Sequence, residues 1–542
     1  MEPGPSYPRQ VVGQRGFAAR SPRDFGASIG NPSTHAYPIM SLADSIRSVL
    51  EIDPGAVAME FQGHSLSWAN FAGLIGEIDA SLTRAGIGQG APIGLLLRNR
   101  PEMVGAILAL IASERCIVCV NPLQGDKKLA ADLESIRVPA LLACEEDWQA
   151  VSMRDAAAKV GSMGLALRGV GADSVHAVAG LEAPVGGPHR SLAPGVAVEM
   201  LTSGTTGAPK RVELRSSAFE QSILGASHYE SNRPEQPTLK KGFALVTSPL
   251  VHISGIFHCV KAAVDGRCLC LLERFAVEAW TEAVRRHRPK ATGLVPSAMK
   301  MVLDANVAKE DLASLRAVTS GTAPLSPELQ SAFEERYGIP VLVTYGATEF
   351  AGAVAGWTIH DHREFAARKL GSVGRAHPGC ELRIVDPKSG EVLAADKTGL
   401  LEVRSGQATM RGWVRTSDVA RLDADGFLFI EGRADGAINR GGFKIDPAHV
   451  ARALERHPAI REAAVVGLPD LRLGEVPAAV FELREGATAP SEQELVDFAR
   501  EHLTRYHVPT RWKVVEQLPR TPALKPSMPG LRALFGAEES AK

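Results

Sequence analysis

From Ser41 onward, short uninterrupted apolar runs alternate with stretches in which apolar residues recur every third or fourth position. Short apolar runs bounded by turn signals predict buried strands, here at residues 93–97, 116–120, 244–247, 268–272, 317–319 and 341–344. Helical patterns separate several of them. One opens at Pro101, after Asn99-Arg100, because proline suits a first helical position that needs no N–H partner. Such alternation predicts an α/β fold whose large N-terminal domain is built on parallel-rich sheets.

The end of the chain reads as a separate, small α/β domain. Asp446-Pro447 supplies an N-cap and a first-turn proline for a helix reaching about His457. Ser491 and Glu494 have capping-box spacing, and Leu495, Phe498, Ala499 and Leu503 then share one helical face. Strands are predicted between these helices, at 463–466 and 478–481. Gly432, Gly436, Gly441 and Gly442 concentrate backbone freedom just before this domain. The expected organisation is therefore a disordered tail over 1–40, a large domain over 41–433, a hinge at 434–436, a small mobile domain over 437–530 and a tail over 531–542.

Composition adds only boundaries. A chain of 542 residues with 45% hydrophobic and 22% charged residues suits a globular enzyme of two or more domains. The formal net charge of -1 gives no overall field toward nucleic acid, and none is expected as a partner. The longest uncharged apolar stretch, residues 103–113, falls well short of the ~20 residues of a membrane span. Seven cysteines in so long a chain do not form a disulfide framework. Cys116 and Cys119 lie in an apolar run, which favours core thiols in a reducing cytoplasm over a redox or zinc site. The tail lacks the apolar segment of a secretory signal.

The strongest chemical signal is the string Thr202-Ser203-Gly204-Thr205-Thr206-Gly207-Ala208-Pro209-Lys210. Small residues let backbone N–H groups approach an anion, hydroxyls add donors and a lysine adds charge, which together make a phosphate cradle. Its spacing is not that of the P-loop. Five further strings follow it: His252 in Pro249-Leu250-Val251-His252, Ser320-Gly321-Thr322-Ala323-Pro324, Tyr345-Gly346-Ala347-Thr348-Glu349, Thr416-Ser417-Asp418 with Gly432-Arg433, and Gly441-Gly442-Phe443-Lys444-Ile445. Near the end comes Leu518-Pro519-Arg520-Thr521-Pro522-Ala523-Leu524-Lys525-Pro526. Alone, most of these residues would be solvated loop groups or surface ion pairs of little consequence.

In this order the strings resemble the adenylate-forming (ANL) superfamily, which holds acyl-CoA synthetases, luciferases and the adenylation domains of peptide synthetases. The resemblance runs from about Ser41 to Lys525. It implies that Thr202 to Lys210 hold the phosphates of ATP, and that Gly321, Thr322, Ala323, Tyr345 and Gly346 line adenine and the acyl pocket. It implies Thr348 on the α-phosphate, Glu349 on Mg²⁺, and Asp418 and Arg433 on the ribose. It also implies His252 as the gate of the pocket, Lys525 as the group that stabilises charge during adenylation, and Asp435 as the hinge about which the small domain turns. By the same resemblance, Gly441 and Gly442 are expected to admit the pantetheine arm of CoA, and Lys444 to meet CoA phosphate.

Two departures concern adenylation. The family usually has glycine where Arg211 follows Lys210, and glycine where Leu524 precedes Lys525; Pro526 also biases Lys525 toward extended backbone. These changes predict an acyl-CoA ligase that converts a supplied acyl-adenylate and CoA to a thioester, with a separate ligase supplying the adenylate. The alternatives are a complete ATP-dependent acid–CoA ligase, an adenylation enzyme loading a carrier protein, and a non-catalytic nucleotide-binding protein. Small and aliphatic residues near 250–256, 320–323 and 350–356 allow a bulky apolar acid, whether fatty, aromatic or polycyclic. The Ala-, Gly- and Arg-rich composition suits a bacterial natural-product pathway.

Overall fold

The computed structural model describes residues 40–187, 189–202, 210–226, 237–434, 436–440, 443–470, 473–522 and 524–536. The widest sheet has seven strands. Its five central members run parallel, and antiparallel strands Val175–Ala177 and Lys210–Arg215 close the two edges. Every residue of Pro92–Leu96, Cys116–Val120, Ala140–Cys144 and Met163–Leu167 is buried. Strands covered on both faces leave no polar alternation, which explains why the sequence shows solid apolar runs. The helix Pro101–Ala112 likewise buries every residue except Glu102, so its long apolar run is core. Among the described residues, no helix is long and apolar enough to cross a membrane.

Three further sheets complete the large domain. Lys240–Val246, Arg267–Leu271 and Val57–Phe61 run parallel, with His64–Ser67 antiparallel at the edge. Ala291–Gly293, Ala317–Ser320 and Val341–Ala347 also run parallel, but Gly352–Gly356 and Arg375–Ala376 then continue that sheet antiparallel. A fully antiparallel sheet follows, in the order Cys380–Val385, Gly399–Ser405, Trp413–Leu422 and Leu428–Arg433. The α/β class with parallel-rich sheets is the observed one. Cys116 and Cys119 are buried free thiols, and burial pushes the Cys119 thiol up to about 12, so both are inert core groups.

The small domain is built on a mainly antiparallel sheet of Phe443–Ile445, Ile438–Arg440, Gly474–Leu483 and Ile460–Asp470, with Arg511–Val514 added in parallel. Asp446 caps the helix Pro447–Leu454, and Ser491 and Glu494 form the expected capping box of Glu492–His502. The segment read as a tail from 531 needs correction. Met528–Gly536 is a helix, and it buries Leu531 and Phe535 against Val466, Ala478, Val480 and Leu518. Its apolar spacing, i and i+4, spans little more than one turn and was too short to register as a pattern.

Candidate active site

Parallel pairing of Ala317–Ser320 with Val341–Ala347 brings two carboxyl ends side by side, with Ser320 opposite Val343. In open α/β sheets such ends form the binding crevice. Gly321-Thr322-Ala323 and Tyr345-Gly346 therefore emerge together. A side chain at Gly321 would meet Thr344 Oγ1 at 2.7 Å, and one at Gly346 would meet the Gly352 carbonyl oxygen at 2.1 Å. Gly346 is thus required by close backbone approach, and Gly321 by the packed Thr344 side chain. Thr322 holds φ at 73°, a left-handed conformation rare for a β-branched residue. Thr348 opens a short 3-10 turn, and the backbone of Glu349 is held where its carbonyl accepts from the Thr409 N–H at 2.9 Å. The Glu349 side chain is exposed.

The ring of Tyr345 rests on the apolar cluster of Phe350, Val354, Leu401 and Leu428. Its hydroxyl donates to Asp418 Oδ2 at 2.5 Å. Burial and the neighbouring carboxylate raise the tyrosine pKa, so the hydroxyl stays a donor. Asp418 and Arg433 are cross-strand partners on Trp413–Leu422 and Leu428–Arg433, and the Arg433 Nε lies 3.8 Å from Asp418 Oδ1. Arg433 also donates to Ser417 Oγ, and the Asp418 N–H donates to Thr416 Oγ1 at 3.1 Å. The roles of Thr416 and Ser417 as supports were not legible in sequence, although they flank Asp418 in its own motif.

Lys525 reaches this group from the small domain. Burial and the charge of Arg433 lower its pKa, and Lys525 in turn joins burial in pushing His252 down to about 4. His252 stands immediately before the helix Ile253–Val264, and its Nε2 is buried without a hydrogen-bond partner. Ser320 Oγ is a second such atom. No ion pair to Lys525 occurs among the described residues, and the charge of Arg433 opposes its own. Two orphaned polar atoms and a half-buried lysine beside an arginine suit an anion, and an acyl or adenosine phosphate meets that description. The backbone before Lys525 departs from the sequence expectation. Leu524 takes φ 59°, the conformation that glycine would adopt without strain, at a cost of about 1–2 kcal/mol. The lysine reaches the site all the same.

Arg211 sits on the edge strand Lys210–Arg215. There it donates to Asp132 Oδ1 at 2.5 Å, to the Cys119 carbonyl at 3.2 Å and to Glu199 Oε1 at 3.4 Å. Arg190 pairs with the same Glu199 at 2.9 Å. Arg211 is thus a structural cation held between Asp132 and Glu199. Thr202 and Lys210 pair across the two strands that carry the string's ends. Ser203, Gly204, Thr205, Thr206, Gly207, Asp435, Gly441 and Gly442 lie outside the described residues, and Lys444 is described only as backbone in Phe443–Ile445. Among the described residues, no cluster of three metal-ligating side chains forms. A lone exposed carboxylate such as Glu349 suits Mg²⁺, which keeps several waters and takes phosphate oxygens.

The profile of the AMP-binding enzyme family matches residues 47–414, and that of the AMP-binding enzyme C-terminal domain matches 449–525. Indoleacetate–CoA ligase of Aromatoleum aromaticum is 30% identical over 505 residues, covering 89% of this chain and 96% of that one. The amide bond synthetase McbA of Marinactinospora thermotolerans superposes with a TM-score of 0.73 at 29% identity, over 91% of this chain and 99% of that one. ATP-bound MatB of Rhodopseudomonas palustris shares the fold, with a TM-score of 0.76 at 22% identity over 92% and 99% of the two chains. The chain belongs to the AMP-binding enzyme family, with its large domain and small C-terminal domain both represented. Within the adenylate-forming superfamily it stands with the acid–thiol ligases.

Proposed function

We propose that this protein is a complete ATP-dependent carboxylic acid–CoA ligase, which makes its own acyl-adenylate before forming the thioester. The observation that carries this reading is Lys525, half-buried beside His252 and Arg433 in spite of the leucine before it. Arg211, the other departure, is engaged elsewhere with Asp132 and Glu199. A separate adenylating partner is then unnecessary.

In the first step a substrate carboxylate oxygen attacks the α-phosphorus of ATP. The new O–P bond forms as the bond to the bridging oxygen breaks, and pyrophosphate leaves with that electron pair. Lys525 and the Thr202–Lys210 cradle offset the negative charge, Thr348 donates to the α-phosphate, and Asp418 and Arg433 hold the ribose end. Mg²⁺ held by Glu349 would supply charge neutralisation for the phosphates. Gly321, Thr322, Ala323, Tyr345 and Gly346 line the adenine. In the second step the small domain turns about Asp435 and presents Gly441, Gly442 and Lys444. CoA thiolate attacks the acyl carbon, the acyl C–O bond breaks, and AMP departs.

The acid is bulky and apolar. The strand Gly352–Gly356 carries nothing larger than valine, and a side chain at Gly352 would first meet Ser222 Oγ at 2.6 Å. An aromatic acid, the kind named for the indoleacetate–CoA ligase relative, is the class to test first. Its buried free thiols suit a reducing cytoplasm. The test offers a panel of acids with ATP, with CoA present or absent, beside the corresponding synthetic adenylates with CoA. Pyrophosphate release with free acid, followed by CoA thioester, is expected. Thioester from adenylate without pyrophosphate from any acid would return the reading to a thioester-forming enzyme alone. Product only with an amine or a carrier protein would overturn CoA as acceptor.

A further inference from the structure

The loop bearing Lys525 is divided between two domains. Its backbone belongs to the small domain: Leu524 N–H donates to the Thr521 carbonyl at 2.9 Å, and Arg520 donates to the Leu524 carbonyl at 3.0 Å. Arg520 is itself held by Glu462 at 2.6 Å, and it bridges Pro526 across the loop. The Leu524 side chain belongs elsewhere. It packs against an apolar cluster whose buried members, from Trp280 to Phe427, all lie in the large domain. Leu524 is the one small-domain residue joined to that cluster among the described residues.

We infer that Leu524 is a positioning residue, an apolar anchor that holds Lys525 in the site and favours the docked arrangement of the small domain. A glycine with φ near 59° would be relaxed and would contribute no contact; leucine tolerates the strained backbone and gains apolar burial across the domain boundary. Because the loop's backbone is rigidly tied to the small domain, that domain cannot turn without withdrawing the leucine. Undocking is therefore slower and rarer here than it would be with glycine. This inference rests on Lys525 serving adenylation, but its test does not use activity alone.

Spin labels placed at Val151→Cys in the large domain and Val514→Cys in the small domain, both exposed, report the arrangement in the full chain without any ligand. The parent pair should give one dominant distance. Leu524→Gly should raise the share of a second distance at least fivefold, and Leu524→Ala should move it the same way should the glycine variant fold poorly. Leu524→Met should restore the parent distribution. An unchanged distribution in Leu524→Gly and Leu524→Ala would overturn the inference. So would undocking in Lys525→Ala with the leucine variants still docked, which would assign the hold to the ammonium group. Pyrophosphate release retained by Lys525→Ala would instead overturn the reading of the lysine, a separate failure.

Discussion

The Tyr345 hydroxyl donates to Asp418 Oδ2 at 2.5 Å across 73 positions of sequence, from the end of a strand in one sheet to the middle of a strand in another. Asp418 is at the same time the cross-strand neighbour of Arg433. One carboxylate therefore fixes the relative placement of Tyr345 and Arg433.

Tyr345→Phe keeps the ring on its cluster and removes only that donor. A hydrogen bond to a charged group contributes about 1.5–3 kcal/mol, or roughly ten- to a hundredfold in affinity. Calorimetric titration with AMP should show binding weaker by about that factor, with little change in fold. Unaltered AMP affinity would show that Asp418 is positioned by Arg433 and Thr416 alone.

Lys525→Ala should slow pyrophosphate release by roughly two to three powers of ten, the scale of one lost charge-stabilising donor. Thioester formation from supplied adenylate should be nearly spared. The lysine works as the cation, and burial lowers its pKa below that of an ordinary lysine. Adenylation should therefore decline on the alkaline side before an ordinary lysine would titrate, whereas thioester formation rises toward the pKa of the CoA thiol. Parallel pH profiles of the two half-reactions check both signs.

Arg211→Gly restores the residue usual in the family, yet it should not accelerate adenylation. It should instead destabilise the fold by about 3 kcal/mol, because Asp132 and the almost fully buried Glu199 lose a shared cation. Denaturant melts and pyrophosphate release on the same preparation test the two halves of this statement.

His252 contributes a pH dependence of stability. Its folded pKa, about 4, lies below the ordinary 6.5, so the unfolded chain takes up a proton first as the solution is acidified. The full contribution is present above pH 6.5 and is lost progressively between 6.5 and about 4. His252→Leu should flatten that interval by about 3 kcal/mol in denaturant melts taken across it. The neutral ring also means that no His252 limb should appear in activity profiles near neutrality.

The strands, the capped helices and the order of the chemical strings were legible because each rests on neighbours in sequence. Cys116–Val120 reads as core from its own five residues, and Asp446-Pro447 announces its helix within two. What escaped depends on distant partners. The direction of Arg211 is set by Asp132, 79 positions away. Leu524 was read as a loss of backbone freedom, whereas its side chain finds a partner cluster in the other domain. The helix Met528–Gly536 gains its burial from strands Ile460–Asp470 and Gly474–Leu483, which no local pattern reveals.

The sheet that changes from parallel to antiparallel at Val341–Ala347 separates two kinds of evolutionary freedom. Tyr345 and Gly346 at its turning strand are tied to Asp418 and to the Gly352 backbone, and tolerate little. One strand further, Gly352 looks toward Ser222 and Phe257 on separate helices. On the proposed reading, substitutions along those two helix faces change which acid is accepted and leave the Tyr345–Asp418 contact as it is, so ligases with divergent diets can descend from one such scaffold.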